Sequence, residues 1–549
     1  MSTDTTTDHY DAIVMGAGFG GLRVSIELGR LGLNYRTLEA GSGVGGVWFW
    51  NRYPGARTDS ESWVYCYQFD KDLLDEYQWT DRFPNQPQVE AYLNHVADRF
   101  DLRKNIDFEA EVSSAEYDED EGLWRITTAD GRTYTCKYFI PAGGPLTASW
   151  RPSFPGLDDY QGQWLHTSRW PKEGIDVRGK RVAVIGTGAT GVQVIPEVAR
   201  ECEHLTVLQR TPNYVIPARN HPLTADEQRA IKMDYDKIWA RCREQFFAMP
   251  IPPANRMTSD LTPQEQQRIL ERGWETGGFR FIFETFDDTI AVPEANKIVA
   301  DFVREKIRAI VHVPETAEKL APKDHPIAGK RPPLGHYYYE AYNRENVDLV
   351  SVKENPIERI SEKGIVLADG TEFEVDVIIF ATGFDALTGA LTKIDLRGRD
   401  GLTIKDAWAD GAQTHIGVAT KGFPNLFMLF GPQTPFANFP PVAEDISSWI
   451  GQAIKHLEES PDFDTMEATQ EAMDAWNQHV TDLVNATVIA QGTDVHSWML
   501  GANIPGKTHR VLFHFGGVAS FYDSCQKVID DGWSGFEFRQ VAPVTAGAV

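Results

Sequence analysis

The sequence has few cysteines, no long apolar run and no excess of basic residues. Its five cysteines are widely spaced and form no CxxC pair, which disfavours a zinc ribbon, a thioredoxin-type redox pair and a disulfide scaffold. No apolar stretch approaches the roughly 18 residues of a membrane-spanning helix, and the polar N-terminus lacks the apolar region of a secretory signal. With 53 basic and 79 acidic residues, the net charge of −26 disfavours nucleic acid and anionic membranes as partners. We therefore expect a cytoplasmic protein, by default a monomer, without a membrane or nucleic-acid partner.

Two segments of the chain repeat the order strand, glycine-rich turn, helix, strand. Each turn has the pattern GxGxxG, in which the glycines permit a tight turn, close approach of a pyrophosphate and close packing of helix on strand. The N-terminus of the helix then binds phosphate through its free N–H groups. The glycines are Gly16, Gly18 and Gly21 in the first copy and Gly186, Gly188 and Gly191 in the second. The repeat predicts an α/β fold with two Rossmann-like dinucleotide-binding domains.

The end of the second strand distinguishes the two copies. Glu39 lies 23 positions after Gly16, where a carboxylate accepts hydrogen bonds from the ribose hydroxyls of FAD or NAD. The corresponding residue of the second copy is Gln209, and Arg210 and Thr211 follow it. A ribose 2′-phosphate is repelled by a carboxylate and paired by an arginine. The first site thus favours FAD and the second NADPH, a combination that indicates hydride transfer to flavin.

The remainder of the chain also follows this repeat. In each copy a hairpin with an Asp-Gly turn precedes an apolar strand that ends near a glycine. The stretch between the second GxGxxG turn and its hairpin carries capping boxes and helical periodicity, and residues 449–484 share that periodicity. We predict an FAD-binding domain over residues 1–150 and 384–549, an NADPH-binding domain over 151–222 and 331–383, and a helical insertion in the latter over 223–330.

A third group of motifs gives the chain a family resemblance. The segment from Tyr160 to Pro171 is similar to the fingerprint FxGxxxHxxxW[P/D] of type I Baeyer–Villiger monooxygenases, with Tyr160 in place of the usual phenylalanine. Residues 431–441 resemble the cyclohexanone and cyclopentanone monooxygenases within that family. Other segments that match the family, in its order along the chain, are 45–48, 52–59, 381–385 and 497–507.

The resemblance implies the reaction. NADPH reduces FAD, dioxygen forms a C4a-peroxyflavin, and the peroxide anion attacks a ketone to yield an ester or a lactone. Because the cofactor provides the nucleophile, neither a metal nor a Ser–His–Asp triad is expected. The protein must supply a fixed cation beside successive oxyanions, in a site that excludes water. The family pattern assigns this cation to Arg331 and assigns Asp59 as the acid that holds the arginine in place. Gly329 stands where the family usually has threonine.

The resemblance also assigns contacts to the cofactors and the substrate. Lys330 and Thr211 are expected to assist Arg210 at the 2′-phosphate, and Trp498 to cover the nicotinamide nucleotide. His166 is expected to bond locally in a linker and not to act as the catalytic base. Further expected cofactor contacts are Gly46, Trp48, Tyr65, Val112, Thr187, Thr190 and Gln193, and the expected walls of the substrate pocket are Leu146, Phe279, Phe436 and Phe513. The loop over 436–441 suggests a compact ketone, either cyclic or short-chain aliphatic.

Two other functions stay open at this stage. An N- or S-oxygenating flavin-containing monooxygenase shares both nucleotide folds, but its fingerprint usually ends without the Trp170-Pro171 pair found here. A non-catalytic redox flavoprotein would keep both dinucleotide sites and would need no Asp59–Arg331 pair. A disulfide reductase would need a cysteine pair beside the flavin, and the spacing of the cysteines disfavours it.

Overall fold

The computed structural model describes residues 7–151 and 153–541. Its framework consists of two sheets, and in each sheet one strand leads into a glycine-rich turn. The strands of the first sheet are β1 (Asp8–Met15), β2 (Tyr35–Leu38), β3 (Ile106–Asp107), β4 (Val112–Asp118), β5 (Leu123–Thr128), β6 (Thr133–Pro141) and β17 (Asp395–Arg397). They lie in the order β17-β4-β5-β6-β1-β2-β3. The strands β6, β1, β2 and β3 are parallel, whereas β4, β5 and β6 form an antiparallel meander.

The second sheet is parallel throughout and repeats the core of the first. Its strands are β7 (Gln163–His166), β8 (Arg181–Ile185), β9 (His204–Gln209), β12 (Val347–Ser351) and β16 (Val377–Phe380). They lie in the order β12-β9-β8-β16-β7. The apolar strand β16 is completely buried between β8 and β7, as expected for a strand covered on both faces.

Nine short strands complete the β structure of the described residues. The strands β13 (Ile357–Ile360), β14 (Gly364–Leu367) and β15 (Glu372–Glu374) form an antiparallel sheet beside the second nucleotide fold. The two-stranded pairs are β10 (Ile216–Pro217) with β11 (Leu334–Gly335), β18 (Thr434–Pro435) with β20 (Phe513–His514), and β19 (Thr465–Ala468) with β21 (Phe536–Arg539).

Seventeen α-helices surround these sheets in the described part of the chain. Two begin at the caps that the sequence predicts: Thr224 and Thr262 each form a capping box, with Glu227 and Glu265 respectively. The helices are α1 (Phe19–Arg30), α2 (Val47–Trp50), α3 (Lys71–Glu76), α4 (Gln86–Arg99), α5 (Ala189–Glu201), α6 (Ala225–Met233), α7 (Tyr235–Glu244), α8 (Pro263–Thr276), α9 (Arg280–Phe283), α10 (Pro293–Ile310), α11 (Pro314–Leu320), α12 (Tyr338–Ala341), α13 (Gly389–Thr392), α14 (Ile404–Ala407), α15 (Phe439–Glu459), α16 (Gln470–Asn485) and α17 (Val518–Asp530).

Helix α1 is packed between the first sheet and the long helix α15. Val24 and Leu28 of α1 are fully buried in the same apolar cluster as Ile450 of α15. The two helices approach closely at Gly451, where an added Cβ would lie 2.7 Å from Cγ of the Glu27 side chain. This packing fixes the N-terminus of α1 at the end of β1, where the first glycine-rich turn lies.

The predicted α/β class with two dinucleotide-binding folds is confirmed. The prediction of helical structure over residues 449–484 is only partly confirmed, because α15 ends at Glu459 and α16 begins at Gln470. Pro461 lies between them, and a proline cannot donate the backbone hydrogen bond that would continue the helix. The intervening residues instead form β19, which pairs with β21.

The chain leaves the second nucleotide fold and returns to it. The helices α6 to α11 separate β9 from β12, both of which belong to the second sheet. After β16 the chain adds β17 to the first sheet. The domain boundaries themselves stay a prediction. Within the described ranges, none of the helices is both long and apolar enough to cross a membrane.

Candidate active site

A cavity of about 860 Å³ lies where the two nucleotide folds meet. Residues from both glycine-rich turns, from the loop after α2 and from the helical segment contribute to its lining. The predicted residues that line it are Gly16, Gly18, Glu39, Gly46, Trp48, Asp59, Tyr65, Val112, Leu146, Gly186, Thr187, Gly188, Thr190, Gln193, Arg210, Thr211, Phe279, Lys330, Arg331, Phe436 and Trp498. Gly21, Gly191 and Phe513 lie outside the lining. The site assignments drawn from the sequence therefore fall largely on one surface.

The two glycines outside the lining shape the turns from behind. An added Cβ at Gly21 would lie 1.8 Å from the carbonyl oxygen of Gly16, and one at Gly191 would lie 2.2 Å from that of Gly186. Each helix can therefore pack on its strand only with glycine at the last motif position. An added Cβ at Gly188, by contrast, would meet no atom of the described residues within 4 Å, so its face is open to a bound molecule.

Glu39 is fixed at the end of β2 although it is only 4% exposed. Its two carboxylate oxygens accept hydrogen bonds from the backbone N–H groups of Ala17 and Gly41, each at 2.7 Å. Burial raises the pKa of this carboxyl group, while the two backbone donors act in the opposite direction. Each oxygen keeps a second lone pair that can accept a hydroxyl donor from the cavity.

Two cations mark the corresponding end of β9. Arg210 is exposed to the cavity, and Nζ of Lys330 donates to the carbonyl oxygen of Val495 at 2.9 Å. Burial, and next the positive charge of Arg210, lower the pKa of Lys330 to about 8. Neither cation has a carboxylate partner within 4 Å among the residues that the structure describes. The pair can therefore neutralise an anionic group that enters the cavity.

The predicted catalytic pair is formed across the two folds. Nη1 of Arg331 contacts Oδ2 of Asp59, and the backbone N–H of Leu334 donates to the same oxygen at 3.3 Å. The side chain of Asp59 is 4% exposed and that of Arg331 is 23% exposed. The guanidinium thus presents positive charge to the cavity while its counter-ion is enclosed by protein.

The loop that carries Asp59 is fixed by contacts to α5 of the second fold. The hydroxyl of Tyr53 donates to Oε1 of Gln193 at 2.9 Å, and Nε2 of Gln193 donates to the carbonyl oxygen of Arg57 at 3.0 Å. Gly55 allows this approach, because at its φ of +82° an added Cβ would lie 2.4 Å from the Gln193 carbonyl oxygen. Gln193 therefore joins the first fold to the helix that follows the second glycine-rich turn.

An aromatic wall extends from Arg331 along one side of the cavity. The guanidinium carbon lies 5.6 Å from the ring centre of Phe279. Successive ring centres are 6.4 Å apart from Phe279 to Phe283, 4.7 Å from Phe283 to Phe247, and 5.5 Å from Phe247 to Phe436. Such a wall leaves little polar surface to hold water beside the cation.

Some lining residues were not predicted from the sequence. Phe247, Phe283 and Phe515 belong to the aromatic wall. Arg169 lines the cavity near Glu39 and lies 4.1 Å above the ring of Trp50. An arginine next to the Trp170-Pro171 fingerprint was a detectable signal, whereas the three phenylalanines have no motif around them.

Phe513 and His166 have local roles in the structure. Phe513 is 1% exposed and packs behind Phe436, with ring centres 5.1 Å apart, so the cavity does not reach it. His166 is buried at the end of β7, where Nδ1 lies 2.7 Å from the hydroxyl oxygen of Ser168. Burial lowers the pKa of His166 to about 4, and this ring does not line the cavity.

Known proteins resemble this chain over nearly its whole length. Residues 11–222 match the FMO-like family, described as flavin-binding monooxygenase-like. A Baeyer-Villiger monooxygenase of Pseudooceanicola batsensis is 43% identical over 538 residues, which cover 97% of each chain. A phenazine N-monooxygenase of Lysobacter antibioticus is 40% identical over 97% of this chain and 98% of its own. The crystal structure of cyclohexanone monooxygenase from Rhodococcus sp. Phi1 bound to NADP+ is 43% identical, has a TM-score of 0.94, and is matched over 97% of this chain and 100% of that one.

Proposed function

Because this chain belongs to the Baeyer–Villiger monooxygenase family, we propose that the cavity between its two nucleotide folds brings FAD, NADPH and a compact ketone together. The protein is a flavin-dependent monooxygenase that uses NADPH and converts ketones to esters or lactones. The predictions of family, reaction and cofactors are thereby confirmed. The observation that carries the proposed site is the accessible Arg331 beside its enclosed partner Asp59.

The residues around the first glycine-rich turn fit FAD. Glu39 is a buried carboxylate whose oxygens are already oriented by Ala17 and Gly41, with lone pairs left for two ribose hydroxyls. The N-terminus of α1 supplies free N–H groups for the pyrophosphate. Bound there, FAD supplies hydride acceptance and activation of dioxygen, which no protein side chain provides. We assign Gly46, Trp48, Tyr65 and Val112 to the same binding surface.

The second glycine-rich turn fits NADPH. Gly188 leaves open space at the N-terminus of α5, where a phosphate can approach the backbone. Arg210, Lys330 and Thr211 stand together at the end of β9, and two of the three carry positive charge toward a 2′-phosphate. Trp498 also lines the cavity, where it is half-buried and packs against Phe436.

Arg331 stabilises the oxyanion that develops when the ketone carbonyl is attacked. A guanidinium does not lose its proton in proteins, so it offers charge without acting as an acid. Asp59 holds that charge in one place, and the aromatic wall lowers the local polarity, which strengthens the attraction. The same rings contact an apolar substrate and limit its size, which supports a compact cyclic or short-chain ketone.

One relative supports a second candidate activity. The phenazine N-monooxygenase oxygenates a nitrogen according to its name, and it is nearly as similar to this chain as the Baeyer–Villiger enzyme is. The rings of the aromatic wall could also pack against a planar heterocycle. N-oxygenation therefore needs to be measured alongside lactone formation.

The proposed activity is tested by product analysis. The purified holoenzyme receives NADPH, air and either cyclohexanone, cyclopentanone, 2-octanone, thioanisole or phenazine, and the products are read by mass spectrometry. Lactones from the cyclic ketones, in excess of ester from 2-octanone, support the compact-ketone proposal. An N-oxide or a sulfoxide with neither lactone nor ester would replace it with heteroatom oxygenation.

We further propose the domain division given above, a monomer and a cytoplasmic location. The order of strands in the two sheets supports the domain division. Five free and buried cysteines suit a reducing compartment, and the net charge of −26 favours mutual repulsion of chains. Sedimentation at micromolar concentration tests the monomer, and the absence of a requirement for metals stays a prediction.

A further inference from the structure

A second buried carboxylate lies two residues beyond Asp59. Glu61 is 8% exposed and does not belong to the lining of the large cavity. Its Oε1 accepts hydrogen bonds from Nε of Arg82 at 3.1 Å and from Nη2 of Arg82 at 2.9 Å. Nε of Arg280 lies 3.6 Å from the same oxygen. One carboxylate oxygen thus holds two guanidinium groups, and we refer to Glu61, Arg82 and Arg280 as the Glu61 cluster.

The Glu61 cluster contacts both ends of the turn that carries Phe279. Nη1 of Arg82 donates to the carbonyl oxygen of Thr276, the last residue of α8, at 2.9 Å. Arg280 is the first residue of α9 and directly follows Phe279. Between these contacts the chain reverses at Gly277 and Gly278, both of which have a φ of +66°.

The turn packs tightly against the cluster. An added Cβ at Gly278 would lie 3.1 Å from the Phe83 ring and 3.3 Å from Nη2 of Arg82. The other end of α9 is tied as well, since Nη1 of Arg280 donates to Oε2 of Glu284 at 3.1 Å. The backbone that presents Phe279 and Phe283 to the aromatic wall is therefore held from outside the cavity.

The cluster is also joined to the catalytic pair. Asp59, Glu61, Phe279 and Arg280 line one small cavity of about 10 Å³. On its other side the ring of Phe279 faces the guanidinium of Arg331 at 5.6 Å. A displacement of Arg280 would thus move Phe279 relative to Arg331, while Asp59 and Glu61 share one short loop.

We propose that the Glu61 cluster is a positioning device for oxygenation, which fixes Phe279 against Arg331 and thereby selects the orientation in which a ketone meets the cation. A role in stability alone does not account for the arrangement, because apolar residues of similar volume commonly stabilise a protein as well as buried ion pairs do. A carboxylate shared by two rigid guanidinium forks instead specifies one geometry. This inference rests on the proposed ketone site and adds residues that never touch the substrate.

The test compares Arg280→Met with Arg280→Lys and the control Arg272→Met in the holoenzyme, with 3-methylcyclohexanone as substrate. Arg272 is exposed on α8, so its variant controls for loss of a charge from the same region. In Arg280→Met we expect flavin reduction by NADPH at the wild-type rate, a ketone KM raised by about 10-fold, and a changed ratio of the two regioisomeric lactones. Arg280→Lys should recover part of the wild-type ratio, and Arg272→Met should match the wild type.

The outcomes separate this inference from the proposed function. If the wild type forms no lactone, the proposed function fails and the inference with it. If the wild type forms lactones and a folded Arg280→Met keeps both the ratio and the KM, only the positioning role is overturned. Should Arg280→Met not fold, Glu61→Gln replaces it, because it removes the charge and keeps the shape. A wild-type ratio in folded Glu61→Gln overturns the inference equally.

Discussion

Arg331 and Asp59 form an ion pair that is open on one side: the arginine side chain is 23% exposed and the aspartate side chain 4%. The open side faces the cavity between the nucleotide folds. The aspartate is further held by the backbone N–H of Leu334. The ion pair restrains the guanidinium of Arg331 from turning into solvent.

Replacement of Arg331 should separate flavin reduction from oxygenation. We expect Arg331→Ala to oxidise NADPH at close to the wild-type rate and to form at least about 100-fold less lactone, the size of effect typical for loss of one oxyanion-stabilising group. Reduction is followed at the flavin absorption band and product by chromatography. The exposed Arg268 on α8 provides the control Arg268→Ala. Normal lactone yield from Arg331→Ala would remove the catalytic assignment.

Arg210 should set the preference for NADPH over NADH. In Arg210→Ala one charge-assisted contact is lost, which costs about 1.5–3 kcal/mol and raises the NADPH KM roughly 10- to 150-fold. The NADH KM should change little, because NADH has no 2′-phosphate. Steady-state kinetics with both nucleotides measure the ratio, and Arg200→Ala on the exposed face of α5 serves as control. Equal increases for both nucleotides would contradict the assignment.

The nucleotide folds could be predicted because their signals are local. The backbone at Gly16 and Gly186 has φ of +103° and +108°. Glycine adopts this conformation at little cost, and the glycines of both turns can therefore be recognised in the sequence. Glu39 and Arg210 stand at a fixed distance from these turns. The break between α15 and α16 was missed, because the apolar period on its two sides is compatible with one helix.

The site was predictable only where motifs exist. Asp59 and Arg331 were identified through family segments, and no property of the isolated sequence brings them together. Phe247 and Phe283 join the wall through ring contacts between distant segments, which no period in the sequence encodes. Phe513 shows the converse error, since it was expected to line the pocket and its ring instead supports the wall from behind.

NADPH binding should weaken as the pH rises past about 8. Burial and Arg210 lower the pKa of Lys330 to about 8, so the free enzyme loses this charge above that value. A 2′-phosphate binds the protonated lysine, which means that affinity is greatest below the pKa and falls above it. We expect the NADPH Kd, measured by titration from pH 6.5 to 9.5, to increase across this range more than the NADH Kd.

Lys330→Arg is the matched variant for this pH dependence. An arginine stays charged at pH 9.5, so the variant should bind NADPH with a flatter profile in the same titration. Persistence of the wild-type slope in Lys330→Arg would assign the pH dependence to another group.

Phe513 and Phe279 should respond differently to truncation, although both were predicted as pocket walls. Phe513 is 1% exposed, and its ring lies 5.1 Å from Phe436 and 5.5 Å from Trp498, so Phe513→Ala leaves a cavity behind the wall and should cost about 3–5 kcal/mol. Phe279 is half-buried on the cavity surface, so Phe279→Ala should lower the melting temperature less and change the ketone KM more. Differential scanning fluorimetry of the holoenzyme and ketone kinetics measure the two effects on the same preparations. A lower melting temperature for Phe279→Ala than for Phe513→Ala would contradict the expected order of stability. A changed ketone KM in Phe513→Ala without a lower melting temperature would mean that the cavity surface extends to Phe513.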